Sequence, residues 1–311
     1  MTRPLPLEKL QAAFPERLQF DAPLARYTAS LVGGAADALL SVNSEDELAE
    51  AVEILWENEI PFTVLGGGSN TLVSDDGVRG VVLLNRAKKV RFHLTSQAPT
   101  VWAESGTNFG AIARQAANKS LSGLEWAAGI PGTVGGAVFG NAGAHDGDMA
   151  GNLIEAEILD RINGRKIWPV RRMKFVYRGS VLKQNPGQAI VLSALLKLEH
   201  GSPEAIHQKM DAFLAHRRRT QPPGASMGSM FKNPPGDFAG RLMDAAGLKG
   251  TRIGGAEISS LHGNFFVNTG RATASDVYEL IQLARRTVVE RMGVQLDLEI
   301  ELIGDWRVDI G

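Results

Sequence analysis

The residues of this 311-residue chain that most invite a chemical reading are its clustered glycines. Leu65-Gly66-Gly67-Gly68-Ser69-Asn70 sets three consecutive glycines before two small polar side chains. Residues without a Cβ reach positive φ freely, and they can turn several peptide N–H groups toward one point, a nest for phosphate oxygens. Ser69 and Asn70 would add donors. The same residues also suit a flexible turn with no ligand, and the loop alone does not choose between the two. A second cluster runs Gly129-Ile130-Pro131-Gly132-Thr133-Val134-Gly135-Gly136-Ala137 and continues to Asn141-Ala142-Gly143-Ala144. Small uncharged residues of this kind let backbone approach a flat ligand or its pyrophosphate, or else form a tightly packed buried loop. Two such loops some 60 residues apart favour one shared dinucleotide ligand over either loop alone.

Other chemistries are excluded by what is missing. The chain has no cysteine, which removes disulfides, Cys-zinc sites, iron–sulfur clusters and thiol nucleophiles together. The six histidines show no ligand spacing, so no metal is expected. There is no G-x-G-x-x-G, no G-x-x-x-x-G-K-[ST] and no H-E-x-x-H. Lys and Arg number 33 against 34 Asp and Glu, a balance with no electrostatic footprint for nucleic acid or an anionic membrane. The 44% hydrophobic and 22% charged fractions supply a core of ordinary size. No apolar run approaches the ~20 residues that cross a bilayer. The first twenty residues are broken by Pro4, Pro6, Glu8, Pro15 and Glu16 and hold no secretory apolar segment. The expected location is the cytoplasm.

The elements that must position the loops mix helix and strand. Ser44-Glu45-Asp46-Glu47 reads as a capping box opening a helix to about Asn58. Residues 62–65 read as a strand running into the first glycine loop, with further strands at 81–84, 101–103 and 189–198. Thr107 is expected to cap a helix through Ile112 and Ala116. After Glu199 the character changes. A helix follows Pro203 and ends in Arg217-Arg218-Arg219, where the basic residues suit either a phosphate or the helix dipole. A short helix over 238–246 has Gly247 as its stop, and a long one starts at Thr273 or Ser275 and closes at Gly293. Residues 296–303 alternate, with Leu296, Leu298, Ile300 and Leu302 on one face and Asp297, Glu299 and Glu301 on the other, and this predicts a strand. The spacing does not distinguish the three acids, and by itself it describes a solvated strand face.

Six stretches then occur in one order across about residues 22–304: the two glycine loops; Tyr177-Arg178-Gly179-Ser180; Gly228-Ser229-Met230-Phe231-Lys232-Asn233-Pro234; Ala256-Glu257-Ile258-Ser259 with His262-Gly263-Asn264-Phe265; and Leu298-Glu299-Ile300. In these the chain resembles the UDP-N-acetylenolpyruvoylglucosamine reductase (MurB) family, and its length resembles the shorter of that family's two classes. The resemblance implies an α+β chain. A two-lobed FAD-binding fold of the vanillyl-alcohol-oxidase/MurB type would occupy residues 1–200, with the lobe boundary near 70–85. An α+β substrate-binding domain would occupy 201–311, its last strand free to pack back on the first lobe.

The resemblance further implies a monomeric, NADPH-dependent reductase that turns the enolpyruvyl ether of UDP-N-acetylglucosamine into UDP-N-acetylmuramate through FAD, in peptidoglycan precursor synthesis. The alternative is another FAD-dependent oxidoreductase on the same scaffold. By resemblance Arg178 pairs with the substrate carboxylate, Ser229 donates a proton and Glu299 assists the enol. Gly66, Gly67, Gly68, Ser69, Asn70, Gly129, Ile130, Pro131, Gly132, Thr133, Gly135, Gly136 and Ala137 would hold FAD, and Tyr177, Lys232 and Asn233 the substrate. His262 and Asn264 would line the site. The chain departs from the family pattern at Asp297 and Glu301, which flank the catalytic acid, and at Phe139-Gly140.

Overall fold

The computed structural model describes residues 5–94 and 98–306, so the outer bounds expected at residues 1 and 311 lie outside it. Contacts gather the chain into two units, and both are discontinuous. The first holds Ala38–Gly67 and Gly80–His216 with the N-terminal residues through Gln19. The second holds Phe20–Asp37, Gly68–Arg79 and everything from Arg217 on.

The first unit is built on a five-stranded antiparallel sheet. Its order is Gly164–Pro169, Leu153–Asp160, Ala189–Lys197, Thr100–Glu104, Val90–His93. Side chains alternate across its central strands, so each face feeds a different core. Ile158, Ala194 and Leu196 pack with Phe109 and Ile112 of helix Phe109–Ala117 and with Val134 and Val138 of helix Val134–Gly140. Leu159 points the other way by this alternation and Leu192 by a bulge, where the register skips from Ser193 to Val191, and both enter a cluster with Leu48, Val52 and Leu55 of helix Glu45–Glu57. That helix lies with strand Phe62–Leu65, which pairs in parallel with residues 81–84 and delivers the chain into the first glycine loop.

Local chemistry explains the helix starts, with two departures from expectation. Ser44 accepts the Glu47 N–H at 3.1 Å, as the capping-box reading predicts. The Glu47 carboxylate instead takes the Asn43 N–H at 2.7 Å and a two-pronged bond from Arg17 at 3.0 and 2.8 Å. The helix expected to be capped by Thr107 is capped by Asn108, whose Oδ1 accepts the Ala111 N–H at 2.8 Å. The Thr107 hydroxyl is buried without a partner. Asparagine is the stronger cap, and a shift of one residue follows from that preference.

Glu45, at the head of the same helix, carries a buried Oε2 with no hydrogen-bond partner. Burial pushes its pKa up, and the carboxylates of Glu157, Glu104 and Asp46 add to the shift against a Ser193 hydrogen bond. A carboxyl whose folded pKa is raised costs stability once the pH exceeds its unfolded value of about 4.3, and the full cost is present above the folded pKa. Glu45→Gln is therefore expected to raise the thermal midpoint at pH 7 by on the order of 2 °C. The gain should vanish below about pH 4. Calorimetry across that range checks the sign, and a loss of stability at pH 7 would refute the reading.

The second unit carries a four-stranded antiparallel sheet ordered Ala225–Ser229, Phe265–Asn268, Ala256–Ile258, Arg252–Ile253. Helices Ala239–Ala245 and Ala274–Met292 bury Leu242, Met243, Val277, Leu280, Ile281, Ala284 and Val288 in one cluster with Met230, Phe231, Ile258 and Phe266. Thr273 and Asp276 form the full capping box of the long helix, and Gly293 ends it at φ +68°. A second acid, Asp75, receives the N–H groups of Ala274 and Ser275 at 2.9 and 2.8 Å. Asp75 follows strand Thr71–Val73, which pairs in parallel with Glu301–Ile303.

The strand expected over 296–303 is thus realised only at 301–303. The run changes partner partway. Its first half bonds to Met230 and Lys232, through Glu299 N–H to Met230 O at 2.9 Å and Lys232 N–H to Asp297 O at 2.8 Å. Its second half bonds to residues 70–73. The alternation survives as burial of Leu296 and Ile300, because inward and outward facing does not require one continuous ladder.

Candidate active site

In the first unit the two glycine loops pass at backbone distance. A Cβ on Gly66 would stand 2.5 Å from Thr133 Oγ1, and one on Gly67 would stand 3.2 Å from the Gly132 Cα. The second loop is pinned by its own main chain: Phe109 N–H to Gly132 O at 3.1 Å, Val134 N–H to Thr107 O at 2.9 Å and Gly135 N–H to Ser105 O at 2.8 Å. Gly132 lies at φ +114°, where L side chains are rarely accommodated. Gly67 and Gly136 remain exposed. Residues 65–70 and 128–144 contain no charged side chain, so peptide N–H groups and hydroxyls are their donors. That donor set, with close approach allowed by glycine, fits the pyrophosphate of a dinucleotide such as FAD.

Gly68 continues the loop in the second unit at φ +57°, and a Cβ there would overlap the Tyr27 carbonyl oxygen. Gly68→Ala should consequently cost more bound FAD than Gly67→Ala, which meets only a tight contact. The flavin-to-protein absorbance ratio after desalting measures this, and full occupancy in Gly68→Ala would sink the backbone argument.

Tyr177 and Arg178 sit on a tight turn in which Val176 and Gly179 exchange both backbone hydrogen bonds, at 3.0 and 3.1 Å. Arg178 has φ +54°, a conformation that costs a non-glycine residue on the order of 1 kcal/mol. Its guanidinium donates to Gly143 O at 2.9 Å and lies 5.1 Å from the Tyr177 ring centroid. Such strain in a polar turn points to a functional constraint.

Ser229 and Glu299 meet the same short segment of the second unit. Ser229 ends strand Ala225–Ser229 opposite Phe265, after Gly228 at φ +80° has broken the regular register. Met230 N–H then donates to Asn264 O at 2.8 Å, while Met230 O accepts the Glu299 N–H at 2.9 Å. The Asn264 side chain brackets Phe231, accepting its N–H at 2.9 Å and donating to its carbonyl at 2.8 Å. Glu299 is held at its other end by Asn70, whose Nδ2 donates to Glu299 O at 3.0 Å. Lys232 is half-buried and follows directly, and Asn233 Oδ1 accepts the Ala239 N–H at 3.1 Å.

This geometry bears on the expectations for Asn264, His262, Asn70 and the basic run 217–219. Asn264 does not line an open site: it is 3% exposed and serves as an artificial strand edge for Phe231. His262 accepts the Asn264 N–H on Nδ1 at 3.2 Å, and burial together with Lys249 holds its pKa below the usual value, so it supports this loop in neutral form. Asn70 directs at least one amide hydrogen to Glu299. Arg217 is partly buried with its pKa lowered by burial, while Arg218 and Arg219 are exposed. Gly224-Ala225-Ser226-Met227-Gly228 has the G-x-S-x-G spacing of a nucleophile elbow. Ser226 is paired with Val267 inside a strand, so no strand-to-helix elbow forms there.

Comparison with known proteins bears on both units. Residues 36–167 match a family model described as an FAD binding domain, and residues 220–303 match the C-terminal domain of UDP-N-acetylenolpyruvoylglucosamine reductase. A reductase of that name from Rubrobacter xylanophilus is 45% identical over 95% of this chain and 98% of its own length. The Bacillus subtilis enzyme is 43% identical over 92% and 93%. The chain belongs to the UDP-N-acetylenolpyruvoylglucosamine reductase family. The crystal structure of the family member from Thermus caldophilus superposes with a TM-score of 0.77 at 39% identity, covering 92% of this chain and 98% of that one. The α+β architecture with an FAD-binding region is the fold of this reductase family. Among the described residues no helix is long and apolar enough to cross a membrane.

Proposed function

We propose that the protein reduces the enolpyruvyl ether of UDP-N-acetylglucosamine to UDP-N-acetylmuramate, using NADPH and FAD, in the cytoplasm and as a monomer. The observation that carries this reading is the Glu299 N–H bond to the carbonyl of Met230, the residue next to Ser229, beside membership of the family. Bound FAD supplies hydride transfer, from NADPH to the vinyl CH₂ carbon of the substrate. The chain's own residues do the rest.

Arg178 pairs with the substrate carboxylate, whose negative charge grows as the neighbouring carbon becomes an enolate. A guanidinium suits this task because it stays charged and offers two parallel donors. The Ser229 hydroxyl gives a proton to that carbon. A serine is a weak acid, but the enolate carbon is strongly basic, so the transfer is downhill once the two are aligned. Glu299 stands by to assist the enol oxygen. Tyr177, Lys232 and Asn233 hold the UDP-sugar, and residues 66–70, 129–133 and 135–137 would hold FAD. The division into an FAD-binding region, 1–200, and a substrate-binding region, 201–311, belongs to the same proposal.

An anaerobic visible spectrum tests the function. A flavin band that bleaches with NADPH and returns with the enolpyruvyl UDP-sugar is expected. Bleaching without return would move the protein to another reaction on the flavin scaffold, and no band after FAD addition would refute both.

A further inference from the structure

The Tyr177-Arg178 turn is held along a strip of main chain, residues 139–143, that follows the second glycine loop. Three bonds join them at alternate positions of the strip. Ser180 Oγ donates to Phe139 O at 2.6 Å, Asn141 Nδ2 donates to Val176 O at 3.0 Å, and Arg178 Nη2 donates to Gly143 O at 2.9 Å. In two of these a side chain of the turn reaches the strip. Only in the Asn141 bond does the strip reach out to hold the main chain of the turn.

Asn141 is 5% exposed and caps helix Val134–Gly140 in the left-handed conformation, φ +47° and ψ +60°. Glycine is the usual residue at such a helix end, and asparagine is tolerated there. What glycine lacks is the amide, and here both ends of the amide are in use. Oδ1 accepts the Ala150 N–H at 3.0 Å while Nδ2 holds Val176 O. The Val176 carbonyl thereby accepts twice, from Asn141 and from Gly179. The turn it closes contains Arg178 at φ +54°. Loss of the Asn141 bond would leave that carbonyl with the Gly179 bond alone, freeing the strained arginine to relax toward negative φ and re-aim its guanidinium.

We propose that Asn141 is a positioning residue: its amide holds the turn that aims Arg178 at the substrate carboxylate. The proposal rests on the reaction assigned above and on the role given there to Arg178.

The FAD-loaded enzyme with Asn141→Gly tests it, because glycine keeps the left-handed helix end and removes only the amide. The two half-reactions are followed separately by stopped-flow absorbance. FAD occupancy and bleaching by NADPH should stay within about threefold of the wild type. Reoxidation by the enolpyruvyl UDP-sugar should slow by about 10²-fold, the scale of a misplaced reacting group. Reoxidation within threefold of the wild type would overturn the proposal, and so would an equal slowing of both half-reactions.

Asn141→Asp is the second variant. It keeps an acceptor for Ala150 N–H but sets an oxygen against Val176 O, and it should give the same split. If neither variant retains FAD, Asn141 is scaffold and the proposal fails. Failure of the wild type to reoxidise with this substrate, or no effect of Arg178→Ala, would instead locate the error in the assigned function.

Discussion

Ser229→Ala is expected to leave FAD binding and flavin bleaching by NADPH nearly intact and to slow reoxidation by the enolpyruvyl substrate by about 10³-fold, within the range attributed to a positioned proton donor. The size of the effect follows from how little else the substitution changes. Ser229 is held through its backbone, opposite Phe265, and the next residue is bonded on both sides, to Asn264 O and to the Glu299 N–H. The bracket that Asn264 places on Phe231 is likewise main-chain directed. Removing one hydroxyl oxygen leaves every one of these bonds in place, so the loop keeps its position and only the proton source is lost. Stopped-flow absorbance separates the two half-reactions. A two- or threefold loss in the second would assign the proton to another group.

The same loop shows where sequence patterns stop being informative. Phe62–Leu65, the long helix from Thr273 to Gly293 and the cap at Ser44 were legible because short-range chemistry decides them: an apolar run, a capping box, a glycine at a helix end. The alternation of residues 296–303 was equally visible, but it encodes which side chains face inward. It does not encode which strands will pair, and the run divides its amides between two neighbours. Long-range pairings such as Thr71 with Glu301, or Asp75 with the start of the long helix, leave no local trace either. They nevertheless group residues 20–37 and 68–79 with the chain from 217 on.

The site residues divide in the same manner. The glycine loops announce themselves by composition, whereas Arg178, Ser229 and Glu299 stand out only through resemblance to the reductase family. The buried amides of Asn141 and Asn264 lie in stretches that resemble the family, but nothing local in the sequence marks which groups they hold. Their long-range partners are main-chain carbonyl and N–H groups 33 and 35 positions away, which nearly every residue type supplies.

Arg178→Gly should separate stability from activity. At φ +54° an L residue is strained by on the order of 1 kcal/mol, and glycine removes that strain. Against this, glycine gives the unfolded chain more freedom, worth about 0.5–1 kcal/mol, and the bond to Gly143 O and the stacking on Tyr177 are lost. The opposing terms are of one size, so the thermal midpoint should move little, by no more than about 3 °C in either direction. The reaction has no such compensation. A carboxylate turning into an enolate gains charge where the guanidinium stands, and loss of a preorganised donor of this kind costs about 10²–10³-fold. Reoxidation by substrate should therefore fall by about 10³-fold with KM raised as well, since the carboxylate is already charged in the ground state. Arg178→Lys keeps a charge but not the planar fork, and it should recover part of the loss, leaving a deficit of about 10²-fold. Calorimetry and half-reaction kinetics on the three proteins decide the matter. A glycine variant that unfolds early would show that Arg178 holds the turn together, and one that turns over within tenfold of the wild type would remove Arg178 from the chemistry.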